Sequence, residues 1–265
     1  MCIFSGAVES VNATRIFGRM TDDGVQYLVY QMDFSAEDEV AMILPFPCDK
    51  DRGEPEFINL EEFPGFFKGL DKQFPKPRTR GGTRGMMSKG ISFSAPLAVH
   101  NVGAFEGSFV PTIEDFGRLD RRFQLPTASL DVMKVLYADF SFAVFKLKAG
   151  ADQKVHPMAF KFPSAQLDTI FFPTVHVHDG GSVPEKETFD HALYVQVPSD
   201  KLERDLAAYK RKSDSRVEIS PHSLTRNMPE KLQRAHQGIL ADARGFKVTL
   251  KGHYPNQDMP WSLDD

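Results

Sequence analysis

The chain has 265 residues, 32 Lys and Arg against 36 Asp and Glu, a formal net charge of −4, 26% charged and 41% apolar residues. This is the balance of an ordinary globular protein long enough to bury a sizeable core, and it excludes disordered, collagenous and coiled-coil classes. It also speaks against a global attraction to nucleic acid or an anionic membrane, and no stretch reaches the roughly 20 apolar residues of a membrane span.

The opening residues, MCIFSGAVES, lack the charged start and apolar run of a secretory signal, so cytoplasmic residence is the expectation. Cys2 and Cys48 are too few for a disulfide scaffold and are expected as thiols. Phenylalanine occurs 23 times against 6 Tyr and 1 Trp, and a ring without a polar tip reads first as core material.

Taken in chain order, residues 2–9 and 14–19 flank Val11-Asn12-Ala13, which predicts a hairpin. Val25 to Met32 mixes β-branched and aromatic residues as a strand does, and VAMILPF at 40–46 is an apolar strand expected to stop at Pro45 and Pro47. Residues 76–90, KPRTRGGTRGMMSKG, carry five basic residues, four glycines and no acid, which predicts a solvated basic loop. Residues 112–136 read as helix in two pieces broken at Pro126, with Thr127 or Ser129 as caps.

Strands follow at 140–147, 155–162, 170–178 and 191–197, separated by Gly, Pro, Asp and Ser. Past Pro198 the period becomes helical: Leu202, Leu206 and Tyr209 recur behind Ser199, and Leu232, His236, Ile239 and Leu240 behind Pro229, with Gly245 as a C-cap. Phe246 to Leu250 alternates as a last strand, and Asn256-Gln257-Asp258 reads as an exposed polar tail. The expectation is one α+β domain, predominantly antiparallel sheet in a sandwich or barrel, with peripheral helices after residue 112 and in the C-terminal 65 residues. Its parts are a β-rich stretch 1–111, a stretch 112–198 of helices then strands, and a helical stretch 199–265 with a last strand.

The sharpest local signal is FPTVHVHDGG at 172–181. Alternation along a strand places His176 and His178 on one face and Val175 and Val177 on the other. If 179–190 closes a hairpin, His178 pairs with His191 and His176 with Leu193, and paired residues share a face, so three imidazoles converge. His156 and Met158, on a neighbouring strand, would add a nitrogen or a thioether. Neutral imidazoles suit copper, zinc or iron, and the soft sulfur favours copper. An open position on such an ion supports oxidation or water activation. The functional expectation is therefore a metal-dependent oxidoreductase. Phe160, Phe162, Phe171, Phe172 and Phe189 surround the site in sequence, and they suggest a small-molecule or peptide substrate with an apolar portion, and no nucleic-acid or membrane partner.

The amino terminus offers a second chemistry. Removal of Met1 would expose Cys2, whose own α-amine can serve as the base for its thiol. The stretch Cys2 to Asp22, with Phe17-Gly18-Arg19-Met20-Thr21-Asp22, resembles the opening of choloylglycine hydrolases and penicillin V acylases, N-terminal nucleophile hydrolases. The resemblance implies Cys2 as nucleophile, Arg19 stabilising its thiolate and Asp22 orienting the new terminus. It covers about 22 residues, and Met20 replaces the family's Asn. Residues 2–47, with MILPFP at 42–47, are also similar to a bacterial family of unknown function, which implies no activity. The third expectation is a non-catalytic β-rich binding protein.

Overall fold

A computed structural model describes residues 3–74, 100–102, 105–119, 125, 127–147, 150–154, 156–177, 183–196, 216–226 and 238–263. The basic loop 76–90 and the two stretches expected as C-terminal helices, 199–209 and 229–237, lie outside them. The expected fold class holds: the protein is α+β with mostly antiparallel sheet.

One sheet has five strands in the order β1 (Ile3–Phe4), β4 (Val40–Phe46), β8 (Ser141–Leu147), β7 (Phe105–Val110) and β6 (His100–Val102). The other runs β13 (Arg216–Ile219), β14 (Phe246–Pro255), β12 (Lys186–Gln196), β2 (Ser10–Met20), β3 (Val25–Ala36), β10 (Met158–Pro163) and β5 (Glu56–Ile58), with β9 (Gly150–Lys154) also on β3. A two-stranded ribbon pairs β11 (Thr169–Phe172) with β15 (Met259–Ser262). Chain order and sheet order part company at β12, which pairs antiparallel with β14 and parallel with β2.

Alternation decides what each strand buries. On β4, Met42, Leu44 and Phe46 enter the core between the sheets while Ala41 and Ile43 enter a second cluster on the outer side, so all seven residues are buried. A strand covered on both faces reads as a continuous apolar run, which is why VAMILPF lacks alternation. Pro45 lies inside this strand rather than ending it. Among the described residues β1 pairs with Met42 and Ile43, so no described ladder on that edge meets the missing N–H of Pro45.

Three layers of apolar packing result. The inter-sheet core joins Ile16, Leu28, Tyr30 and Met32 to Leu44, Phe46, Phe145, Phe160 and Phe162. The outer face of the five-stranded sheet is covered by a 3-10 turn (Ile113–Arg118), helix α2 (Thr127–Leu136) and residues 171–177. The outer face of the eight-stranded sheet, with Phe17, Val29 and Tyr194, is covered by helix α1 (Phe66–Asp71) and by Leu224, Ile239 and Leu240. No helix among the described residues is long and apolar enough to cross a membrane.

Three local expectations change. Val11-Asn12-Ala13 is no hairpin: it lies inside an 11-residue strand as a bulge, with Ala13 at φ 51° and the β2–β3 register shifting between Asn12 and Arg15. A bulge supplies a local kink while the ladder resumes on either side. Ile239 and Leu240 lie in turns, and Gly245 is not a helix cap. It precedes β14 where a Cβ would meet a Leu224 methyl at 2.6 Å and the Val195 carbonyl at 2.8 Å. Gly18 has a similar role on β2, where a Cβ would stand 2.7 Å from both Ile170 and Phe172, so the ribbon presses directly on the strand.

Candidate functional site

The proposed hairpin between 170–178 and β12 does not form, because both edges of β12 are occupied, by β14 and by β2. His191 is instead opposite Leu250 and Thr14. Residues 173–177 run on the other layer, where Val177 makes a one-residue parallel bridge to Ile3. The alternation itself holds: Val175 and Val177 join the outer cluster. His176 turns inward and meets His191 across the layers, the rings stacked at 5.1 Å between centroids and 21° between planes. The two histidines are 1% and 3% exposed.

Phe189 closes the group, 4.4 Å from the His176 ring and 4.9 Å from the His191 ring, and Tyr254 meets Phe189 edge-on at 5.7 Å. Of the five phenylalanines expected around the histidines, the others pack elsewhere: Phe160 and Phe162 against Phe46, Phe171 against Phe140, Phe172 over Gly18.

His156 and Met158 do not adjoin this pair. Met158 belongs to β10 and His156 precedes that strand by two residues; β2 and β3 stand between β10 and β12, which at about 4.8 Å per strand is roughly 14 Å. Met158 is fully buried in the inter-sheet core. The His156 ring lies 4.1 Å from that of Phe105, and its Nδ1 is 3.0 Å from the Pro157 carbonyl. His178 lies outside the described residues. Among the described residues, no group of three or more His, Cys, Asp or Glu side chains could hold a metal ion.

Cys2 also lies outside the described residues. Arg19 is on β2, where its Nε donates to the Ile239 carbonyl at 2.8 Å, its Nη2 donates to the Gly238 carbonyl at 2.5 Å and its guanidinium lies 4.7 Å over the Tyr27 ring. Burial lowers its pKa, and Tyr27, Asp22 and Asp23 act against that. Asp22 is exposed in the β2–β3 turn. Cys48 is buried opposite Ser164, and burial pushes its thiol up to about 11, so it is a poor thiolate.

What sequence reasoning missed is the way the histidine segment is held. The tail tripeptide is exposed only at Gln257, and its neighbours Asn256 and Asp258 are turned to the body. Asp258 accepts the Thr174 N–H at 2.7 Å and the Val175 N–H at 3.0 Å through Oδ1, and the Tyr137 hydroxyl at 2.6 Å through Oδ2. Asn256 accepts the His176 N–H at 2.7 Å and returns its Nδ2 to the His176 carbonyl at 3.0 Å. The Thr174 hydroxyl donates to the Gln257 carbonyl at 2.8 Å. Gln26, fully buried on β3, brackets Phe171 in the same manner at 2.8 and 3.0 Å. Carboxamide side chains here do what a neighbouring strand would do, offering one donor and one acceptor to a backbone that must be satisfied. Burial pushes the Asp258 carboxyl up, against the three donors that favour its ionised form. The only hint in the sequence was a run of Asn, Gln and Asp near Trp261, a buried anchor that keeps the tail on the body.

A second polar cluster sits on the outer face of the eight-stranded sheet. Asp71, at the end of α1, accepts the Tyr194 hydroxyl at 2.7 Å and Lys247 Nζ at 2.6 Å, with Arg15 at 3.8 Å. Burial alone would raise the Asp71 carboxyl, but hydrogen bonds from Lys247 and Tyr194 and the charges of Lys247 and Arg15 hold it below its ordinary value. The cluster ties α1 to β12 and β14.

No family model matches the sequence, and no curated protein matches it. Among solved structures the chain is similar to baculovirus P35, at 12% identity and a TM-score of 0.48 over 98% of this chain and 99% of that one. A crystal structure of a caspase-8/P35 complex matches at 11% identity and a TM-score of 0.45, over 95% and 96%. At those values the likeness extends to neither function nor partner.

Proposed function

We propose that this chain is a non-catalytic, β-rich binding protein whose partner is another protein. The observation that carries the reading is the His176–His191 stack. Both imidazoles are packed face to face in the interior against Phe189; of the further ligands expected for a metal centre, Met158 belongs to a strand about 14 Å away and His156, just before that strand, packs on Phe105. A catalytic ion needs three protein ligands converging on one point with an open position. The apolar contact expected of a partner has a support in Val135 and Leu136, which are 83% and 44% exposed side by side at the end of α2.

Reconstitution with copper, zinc or iron, followed by desalting and metal analysis, is expected to leave no stoichiometric ion. A stoichiometric ion that disappears in the His176→Phe and His191→Phe variants would overturn the reading in favour of a metal-dependent oxidoreductase.

A further inference from the structure

Residues 173–177 are built unlike the strand β11 that precedes them. Three consecutive backbone donors, the N–H groups of Thr174, Val175 and His176, end on side chains of Asp258, Asp258 and Asn256, and among the described residues the segment's bridge to a strand is the single pair Val177 and Ile3. Just before it, β11 is fixed by four residue pairs to β15 and by the Gln26 bracket. Just beneath it lie His191 and Phe189 of β12; His191 is paired on both sides, to Leu250 of β14 and Thr14 of β2, and Phe189 to Gly252 of β14. The covered and the covering parts therefore differ in how cooperatively they are held. Opening 173–177 breaks side-chain hydrogen bonds and one bridge and uncovers Val175 and Val177, whereas moving β12 breaks two ladders.

We infer that residues 173–177 form a flap over the His191–Phe189 surface, and that Asn256 and Asp258, supported by Tyr137, are its latch. Local opening costs less than global unfolding wherever few cooperative bonds must break together. When the latch releases, the His176–His191 pair passes from buried to accessible without loss of β12, so access of any ligand to these rings is set by a tripeptide 80 positions away in sequence. Asp258 dominates, because its one carboxyl group accepts three donors.

Amide exchange of Thr174, Val175 and His176, together with carbethoxylation of His191, tests the latch. In the unmodified protein these three amides exchange faster than Val29 on β3 and Leu193 on β12. Asp258→Asn raises their rates by about tenfold or more and speeds modification of His191, leaving Val29 and Leu193 unchanged. Tyr137→Phe, which keeps both backbone bonds, gives a smaller rise in the same three amides, and it decides the matter if Asp258→Asn fails to fold. Exchange of all five amides at one common rate, or rates at 174–176 that neither variant changes, overturns the inference.

Discussion

His156 shows how a residue chosen for chemistry can instead act on stability. Burial lowers its pKa from the ordinary 6.5, opposed by the Pro157 carbonyl and by Glu61. The folded protein therefore favours the neutral ring. Its contribution to stability is complete above the unfolded value near 6.5 and is lost as the pH falls through the lower folded value. The urea midpoint should drop between pH 7 and pH 5, and the drop should shrink in His156→Phe, which keeps the ring against Phe105 and removes the titration. Equal drops in both proteins would assign the acid sensitivity elsewhere. The same logic makes the pair His176 and His191 legible in part only. Their residue type and their alternation with Val175 and Val177 could be read along the chain. Which imidazole each would meet could not, because that meeting crosses from one sheet to the other.

At the level of elements, strands that bury one or two faces against the core announced themselves through their apolar patterns, as β3, β4, β8 and β10 did. The ribbon announced itself only by half: β11 falls within the strand expected at 170–178, whereas β15 is four residues long with Pro260 inside it and carries little periodicity. Its seat is Gly18. Alanine there would place a Cβ 2.7 Å from Ile170 and Phe172, both part of the buried core, and overpacking of this kind costs about 1–3 kcal/mol. Gly18→Ala should accordingly lower the denaturant midpoint, whereas Gly65→Ala, where a Cβ meets nothing within 4 Å, should shift it little. A neutral Gly18→Ala would mean that the ribbon can lift from β2 at no cost. That result would also loosen the hinge from which the 173–177 flap opens.

For the whole molecule, the phenylalanines decide the architecture more than any charged group. Phe46 packs on Phe109, Phe160 and Phe162 at 6.0, 5.0 and 4.7 Å, joining β4 and β7 of one sheet to β10 of the other. Removing a fully buried ring of this kind costs about 3–5 kcal/mol, a large part of the roughly 5–15 kcal/mol by which a domain is stable. Phe46→Ala should therefore lower stability more than any substitution of the polar clusters, and chemical denaturation followed by fluorescence and circular dichroism together would show whether both sheets are lost in one step. Separate transitions would mean that the two layers are not one cooperative unit. By itself the sequence determined the class of the protein: α+β, antiparallel in the main, with a Phe-built core. Hydrophobic periodicity and composition act within a few residues of chain, and so survive in a linear reading. Only the tertiary structure decided that β12 would lie between β2 and β14, leaving no edge for the histidine segment, and that Asn256 and Asp258 would bind that segment from 80 residues away. Such pairings depend on which donors and acceptors remain unsatisfied after the sheets have formed, and no local pattern records that remainder.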